Sequence, residues 1–410
     1  MTFQGDFMII DSKLEIYNRA VHNRVLFQPM EGCDGEENGA VGELTRRRYL
    51  RFAKSGAGII WFEATAVTAE GRANPRQLYI NEETAESYRS LVAEIKETAL
   101  EECGFEPLVI VQLTHSGRFS KPHGTPEPIV AYRNEHWEKG RENQPYVVAT
   151  DDYLDTIPVK YAAAARLAEK AGFDGIDVKC CHGYLFNEFL SAYGRDGKYG
   201  GSFENRTKLF FDCIDAVKNS VENIFVTTRF NACDCFPYPY GYGVSENNEI
   251  DLTEAKKIIK ILKNKGVELV NITLGNPYLI PHINRPCINS PEDGNIGMNR
   301  IMRVTKELKS AFPDVTFAMS GLTYEGENAV DYAEKMLSEN IADIMGFGRM
   351  TFAYPGFYRD YKANGSLEKN KVCLKCSKCT ELMRAGTVAG CPVRDSEVYM
   401  PYYRKFVQGR

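Results

Sequence analysis

Eight times along the chain a short apolar run gives way to a stretch with helical periodicity. The runs are RVLFQPM, AGIIWFEATAV, PLVIVQLTH, DGIDVKCCHG, NIFVTTRFN, VELVNITLG, VTFAMSG and ADIMGFGR. Each has the length and side-chain make-up of a buried strand. Between them, VKYAAAARLAEKAG and TEAKKIIKILKNKG are the clearest amphipathic helices. Eight β-α units in succession predict an α/β fold, a closed parallel (β/α)8 TIM barrel. An open doubly wound sheet usually shows fewer units and a G-x-G-x-x-G after a strand, and none is found here. From about Tyr361 the rhythm stops. The division expected is a barrel over residues 1–362 and, over 363–410, a segment too short for its own apolar core, docked on the barrel.

Barrel strands alternate between an interior face and a face covered by helices. In DGIDVKCCHG, Ile176 and Val178 form the helix-facing set, which sends Asp177 and Lys179 inward. In VIVQLTH, Val109, Val111 and Leu113 face the helices while Gln112 and Thr114 point inward, and in FVTTRFN, Thr227, Arg229 and Asn231 share one face. These inward polar residues lie toward the C-terminal ends of their strands, where barrel enzymes gather catalytic groups. Three strands converging on one end predict a site.

Composition narrows the function classes. Charged residues make up 26% and hydrophobic ones 43% of 410 residues, the balance of a protein with a well-buried core. A net charge of −5 and a pI near 5.9 leave no footprint for nucleic acid or an anionic membrane. No segment reaches the roughly 20 apolar residues of a bilayer span, and MTFQGDFMIIDSKLEIYNRA is not patterned as a signal peptide, so a cytoplasmic location is expected. Eight of the twelve cysteines are scattered; Cys233 and Cys235 form a C-x-C pair read as buried thiols. The other four, Cys373, Cys376, Cys379 and Cys391, read C-x2-C-x2-C-x11-C-P. That spacing suits an iron–sulfur cluster, with a structural zinc held by the same thiolates as the alternative.

Six ordered motifs resemble the old yellow enzyme family, especially its branch related to bacterial 2,4-dienoyl-CoA reductases. They are NRVLFQPM, FEATAV-x3-GR, VQLTHSGR, GFDGIDVKCCHGYLFNEFLS, YGGSFENR and ADIMGFGRM. The resemblance implies FMN, with Pro29 and Met30 against the ring system, Ala64 lining it, Gln112 at the pyrimidine edge and Arg229 beside N1 and O2. Gly321, Gly348 and Arg349 would hold the phosphate, because glycines admit close backbone approach and arginine offers a planar fork. It also implies a [4Fe–4S] cluster on the four tail cysteines, although the family pattern has one more residue between the second and third.

Family members reduce an activated C=C bond by hydride transfer and commonly protonate the α-carbon from a tyrosine. The frame here is Lys179-Cys180-Cys181-His182-Gly183-Tyr184. His182 and Tyr184 match as carbonyl ligand and acid; Lys179 replaces the first histidine, as an electrophile, as a deprotonated amine or as a partner of Asp177. The aromatic loops NACDCFPYPYGYG and GNPYLIPHINRP offer Tyr238, Tyr240, Tyr242, Tyr278 and His282 to wall a substrate pocket or to pack against the tail or a partner subunit.

The function expected is an oxygen-sensitive FMN/[4Fe–4S] ene-reductase acting on a small α,β-unsaturated carbonyl such as a steroid, bile acid or enoate. Larger relatives continue with FAD- and NAD(P)-binding domains, so this chain is expected to take electrons from NAD(P)H directly or from a ferredoxin or flavoprotein. Two rivals stand beside it: amine oxidation, by resemblance to trimethylamine dehydrogenase, and a non-catalytic electron relay. Homo-oligomerisation is compatible with all three.

Overall fold

The computed structural model describes residues 8–140 and 143–409. All eight apolar runs become strands of one closed barrel. The strands are β1 (Val25–Phe27), β2 (Ile59–Ala66), β3 (Leu108–Thr114), β4 (Gly175–Val178), β5 (Phe225–Asn231), β6 (Leu269–Thr273), β7 (Thr316–Met319) and β8 (Ile344–Phe347). Every pairing is parallel, and β8 closes on β1 through Met345↔Val25 and Phe347↔Phe27. Around it lie α1 (Glu43–Ala53), α2 (Ala85–Cys103), α3 (Asp151–Lys170), α4 (Phe203–Lys218), α5 (Thr253–Asn264), α6 (Gly294–Ala311), α7 (Ala329–Ser338) and α8 (Phe357–Asn364). No helix among the described residues is long and apolar enough to cross a membrane.

Helix α3 starts at Asp151, well before the pattern that begins at Val159. Thr150 caps it by accepting from the Tyr153 N–H at 3.2 Å, and Asp151 and Asp152 complement the N-terminal dipole. Pro158 sits inside the helix, and the missing backbone bond is outweighed by the buried face of Leu154, Ile157 and Tyr161.

The inside–outside alternation decides where chemistry sits. Val109, Val111, Leu113, Ile176 and Val178 pack in the large core between strands and helices. Leu26, Ile59, Trp61, Leu108, Ile110, Phe225, Leu269 and Ile344 fill the N-terminal half of the barrel interior. A hairpin of Leu14–Ile16 and Arg19–Val21, absent from the sequence pattern, plugs that end. Its Tyr17 stacks on Phe225 at 4.5 Å, donates to the Val226 carbonyl at 2.6 Å and accepts from the Glu268 N–H at 2.7 Å. With one end sealed by apolar side chains, polar inward residues collect at the other.

The tail adds α9 (Lys378–Arg384) and α10 (Ser396–Phe406), whose Leu382, Tyr399 and Tyr403 form a small separate core with Val388. It is fastened to the barrel by ion pairs: Asp395 accepts two bonds from Arg47, at 2.8 and 2.9 Å, and another from Arg51. The Ala389 N–H also donates to the Gly32 carbonyl at 2.6 Å, and Lys375 Nζ to the Tyr324 carbonyl at 3.0 Å. Asp395 is 9% exposed, so its removal strands two guanidinium groups. Asp395→Ala is expected to raise amide exchange across α9 and α10 by roughly 10- to 100-fold while leaving barrel amides unchanged, as read by hydrogen-exchange mass spectrometry.

Candidate active site

At the open end of the barrel the strands deliver a polar floor. Asp177, fully buried, accepts from Trp61 Nε1 at 2.8 Å, Gln112 Nε2 at 2.6 Å and the Arg229 N–H at 2.7 Å. Burial lifts its carboxyl to about 6, against the pull of those three donors. Gln112 therefore directs its NH2 at Asp177, which leaves the acceptor Oε1 for a ligand.

Above this floor one cleft gathers Pro29, Met30, Gln112, Arg229, Gly321, Gly348 and Arg349 with Lys179, His182, Tyr184 and Tyr278, and Cys379 also lines it. Ala64 lies beside Gln112 in the sheet, where the register of β2 shifts, and its carbonyl accepts from Gln77 Nε2 at 3.0 Å. It sits next to the cleft rather than on its wall. The shift also places Glu63 against Arg48 of α1, outside the barrel.

The cleft is built for an anion. Arg229 Nε and Arg349 Nη1 are buried without a hydrogen-bond partner, and the other end of Arg349 donates to the Pro286 carbonyl at 2.6 Å. Among the described residues, no carboxylate lies within 4.0 Å of the charged nitrogens of Lys179, Arg229, Arg285 or Arg349, all of which line the cleft. Glu31 is the lone carboxylate in that lining. Buried unpaired guanidinium groups are costly, and a bound phosphate or anionic ring relieves that cost. Gly321 has φ +103°, and a Cβ there would come within 2.9 Å of Met298 Sδ. The short helix Arg349–Ala353 opens at Gly348; its Met350 N–H donates to Thr323 Oγ1 at 3.2 Å and its Thr351 N–H to the Gly348 carbonyl at 2.9 Å, while the Arg349 N–H precedes any intrahelical acceptor. The donor set fits FMN.

The same cleft carries the residues expected to face a substrate. Lys179 is buried and its Nζ lies 3.7 Å from the centre of the Tyr184 ring. It makes no hydrogen bond to Asp177, whose oxygens are taken by Trp61, Gln112 and the Arg229 N–H. Burial lowers the lysine's pKa, partly offset by Cys181 and Glu31. His182 has φ +66°, and its Nε2 lies 3.4 Å from both Thr273 Oγ1 and Asn284 Nδ2. Burial, with Arg229 and Lys179 adding repulsion, pushes its pKa well down and keeps the ring neutral. Tyr184 Oη is 2.9 Å from Tyr278 Oη, and Tyr278 stacks on Phe119 at 3.7 Å. Burial and the Glu31 charge raise the Tyr184 pKa well above the ordinary value, so this phenol keeps its proton.

Of the five aromatic-loop residues expected on the pocket wall, the cleft takes only Tyr278. Tyr242 is buried in the core against Phe230, Tyr238 is 39% exposed beside Tyr193, and Tyr240 packs on His136. His282 lies on the short helix Pro281–Asn284, with its carbonyl against Gly297 of α6. The β5 loop is drawn away by Tyr132 and Asn134, which both donate to the Tyr240 carbonyl. Sequence reasoning missed Glu31, Asn284, Arg285, Thr323, Phe352 and Thr380, which also line the cleft. Glu31 was signalled by its place after Pro29-Met30; the others arrive from loops and tail whose paths no periodicity reveals.

Of the four tail cysteines, Cys379 lines this cleft. Each of Cys373, Cys379 and Cys391 interacts electrostatically with others of the set, and burial raises all three. Backbone N–H groups of Lys375 and Arg394 reach Cys373 and Cys391 Sγ at 3.4 and 3.3 Å, and Arg349 lies near enough to favour the thiolate of Cys373 and Cys379. Among the described residues no three His, Cys, Asp or Glu side chains are close enough to grip a single metal ion. Thiols, N–H donors and nearby guanidinium groups are the donor chemistry of an anionic iron–sulfur cluster, whose corners stand farther apart than the ligands of one ion.

His115 fixes the loop that carries Phe119: Nδ1 accepts from the Gly117 N–H at 3.0 Å and Nε2 meets Tyr153 Oη at 2.8 Å. Burial depresses its pKa from 6.5 to about 4. The unfolded chain binds this proton first, so the contribution is full above pH ~6.5 and is lost as pH falls toward 4, about 3 kcal/mol in all. Buried carboxylates such as Asp177, raised to about 6, act with the opposite sign. The difference between wild type and His115→Gln isolates the histidine: urea midpoints are expected to separate at pH 7 and converge toward pH 4.5.

A closed barrel with an anion-binding cleft at its C-terminal end, a buried phenol and unpaired cations defines a cofactor-dependent barrel oxidoreductase. The sequence profile of the NADH:flavin oxidoreductase / NADH oxidase family matches residues 13–368, and the chain belongs to that family. By family it is thus a flavin-dependent oxidoreductase. It is 29% identical over 346 residues to an NADPH dehydrogenase of Clostridium acetobutylicum, covering 83% of this chain and 91% of that one. In fold it is similar to 2-naphthoyl-CoA reductase in complex with 2-naphthoyl-CoA, with TM-score 0.78 and 20% identity over 94% of this chain and 56% of that chain. It is similar also to old yellow enzyme from Pichia sp. AKU4542, with TM-score 0.70 and 19% identity over 88% of this chain and 89% of that one.

Proposed function

We propose that the protein is an FMN- and [4Fe–4S]-dependent ene-reductase that reduces the C=C bond of an α,β-unsaturated carbonyl. The observation that carries this reading is a protonated phenol, Tyr184, facing an anion-binding cleft beside Lys179 and neutral His182. When bound, the flavin supplies hydride to the β-carbon. Gln112, Arg229, Gly321, Gly348 and Arg349 would hold the cofactor, and the Arg229 cation would favour negative charge on it. Lys179 and the His182 N–H hold the substrate carbonyl oxygen and stabilise negative charge as it grows there. Tyr184 delivers its proton to the α-carbon, and Tyr278, hydrogen-bonded to it, passes a proton back. Cys373, Cys376, Cys379 and Cys391 hold the cluster. The tail beside the cleft supports placement in the branch with dienoyl-CoA reductases. An amine substrate fits less well, because its cation would face Lys179 and Arg229 in a site with one carboxylate.

Anaerobic assays of an enone, a 2-enoate, an enoyl thioester and a tertiary amine, with NADPH or reduced viologen as donor, test this. The expected result is saturated product from one of the first three. Amine demethylation without any C=C reduction would replace the proposal.

A further inference from the structure

Charge is spread unevenly along the chain. Residues 363–410 carry nine Lys and Arg against four Asp and Glu, whereas residues 1–362 carry 41 against 51. The cysteine-bearing segment is thus net +5 on a body of net −10. Lys375 and Lys378 alternate with the cysteines, and Lys378 Nζ lies 5.3 Å from the centre of the Tyr403 ring. That contact sets the start of α9 against α10, whose last turn exposes Arg404 and Lys405. Among the described residues, Lys378, Arg404 and Lys405 have no carboxylate within 4.0 Å, whereas Lys375 is turned toward the barrel and donates to the Tyr324 carbonyl. Two large apolar side chains of the segment, Leu374 and Phe406, are 44% and 46% exposed. Leu374 lies in the loop between Cys373 and Cys376, and Cys379, in the first turn of α9, lines the active-site cleft. The cysteine-bearing segment therefore carries exposed cations and apolar side chains and, at Cys379, reaches the cleft.

We propose that this outer face, formed by Leu374, Lys378, Arg404 and Lys405, docks a small acidic one-electron carrier protein of the ferredoxin type. The inference rests on the cluster reading above. Exposed apolar side chains supply the contact, and the positive charges of Lys378, Arg404 and Lys405 steer an acidic partner toward it. Each encounter oxidises the carrier by one electron and passes that electron to the cysteine-held centre. Two encounters and two protons from solvent supply what one C=C reduction consumes.

The test is anaerobic stopped-flow reduction of the holoenzyme's flavin by a purified acidic ferredoxin kept reduced by dithionite, at several salt concentrations. Wild type should slow steeply as salt rises. The double variant Lys378→Glu/Arg404→Glu should lose roughly tenfold or more in second-order rate at low salt and match wild type near ~0.5 M. Reduction by dithionite alone should be the same in both. A wild-type rate independent of salt, or equal rates for both proteins at low salt, overturns the docking surface. Conversion of a dimer to a monomer by the charge reversals, with the ferredoxin rate unchanged, assigns the face to a second copy and also overturns it. Iron assays on the same samples separate the two readings. Iron-replete protein with salt-independent rates defeats the docking surface alone, and protein without iron defeats the cluster as well.

Discussion

Tyr184→Phe is expected to lower C=C reduction by about 10²- to 10⁴-fold while leaving reduction of the flavin by NAD(P)H within a factor of about two. The substitution keeps the ring on which Lys179 rests and removes only the hydroxyl that faces Tyr278 at 2.9 Å. Loss of that hydrogen bond alone costs about 1 kcal/mol, so the thermal midpoint should fall by only a few degrees. A fall in the oxidative half-reaction without a fall in the reductive half-reaction identifies the proton donor. Because burial and Glu31 hold the phenol's pKa above its ordinary value, the wild-type rate should show no loss of this proton below about pH 10. Tyr278→Phe should give a smaller loss of the same kind, since it acts through Tyr184. Equal loss in both half-reactions would instead mark a site that no longer holds its cofactor.

Arg349→Ala is expected to weaken FMN binding by roughly 10²- to 10³-fold, read by fluorescence titration of the apoprotein. The residue is buried, one guanidinium nitrogen has no partner, and another donates to the Pro286 carbonyl. Removal would delete the charge-assisted contact proposed for the phosphate and would break the bond to the Pro286 carbonyl. Arg349→Lys separates the two effects. It keeps the charge but not the fork, so affinity should recover only in part. If FMN binds Arg349→Ala as tightly as wild type, the phosphate site lies elsewhere.

The barrel was legible because strand burial leaves a local signature. All eight runs are continuous enough that period and length agree, and helix-facing Val109, Val111 and Leu113 fix their inward neighbours. Residues on strand ends, such as Gln112, Lys179 and Arg229, were legible for the same reason. Residues on loops were not. Tyr242 and Tyr278 read alike in sequence, yet one packs on Phe230 in the core and the other meets Tyr184 across the cleft. Their difference is set by contacts with Tyr132, Asn134 and Phe119, which are far away in the chain. The plug at Leu14–Val21 escaped because two three-residue strands carry too short a pattern to detect. Arg285 reaches the cleft, and bonds Thr380 at 2.7 Å, only because the tail folds back over β6 and its loop.

The central claim is a flavin and an iron–sulfur cluster joined in one barrel chain. Anaerobic purification followed by flavin, iron and zinc assays on the same sample tests it most directly. The account predicts about one FMN and about four iron per chain, with negligible zinc, and loss of the iron but retention of FMN in Cys376→Ala. Zinc in place of iron would contradict the cluster, and absence of flavin would contradict the whole account.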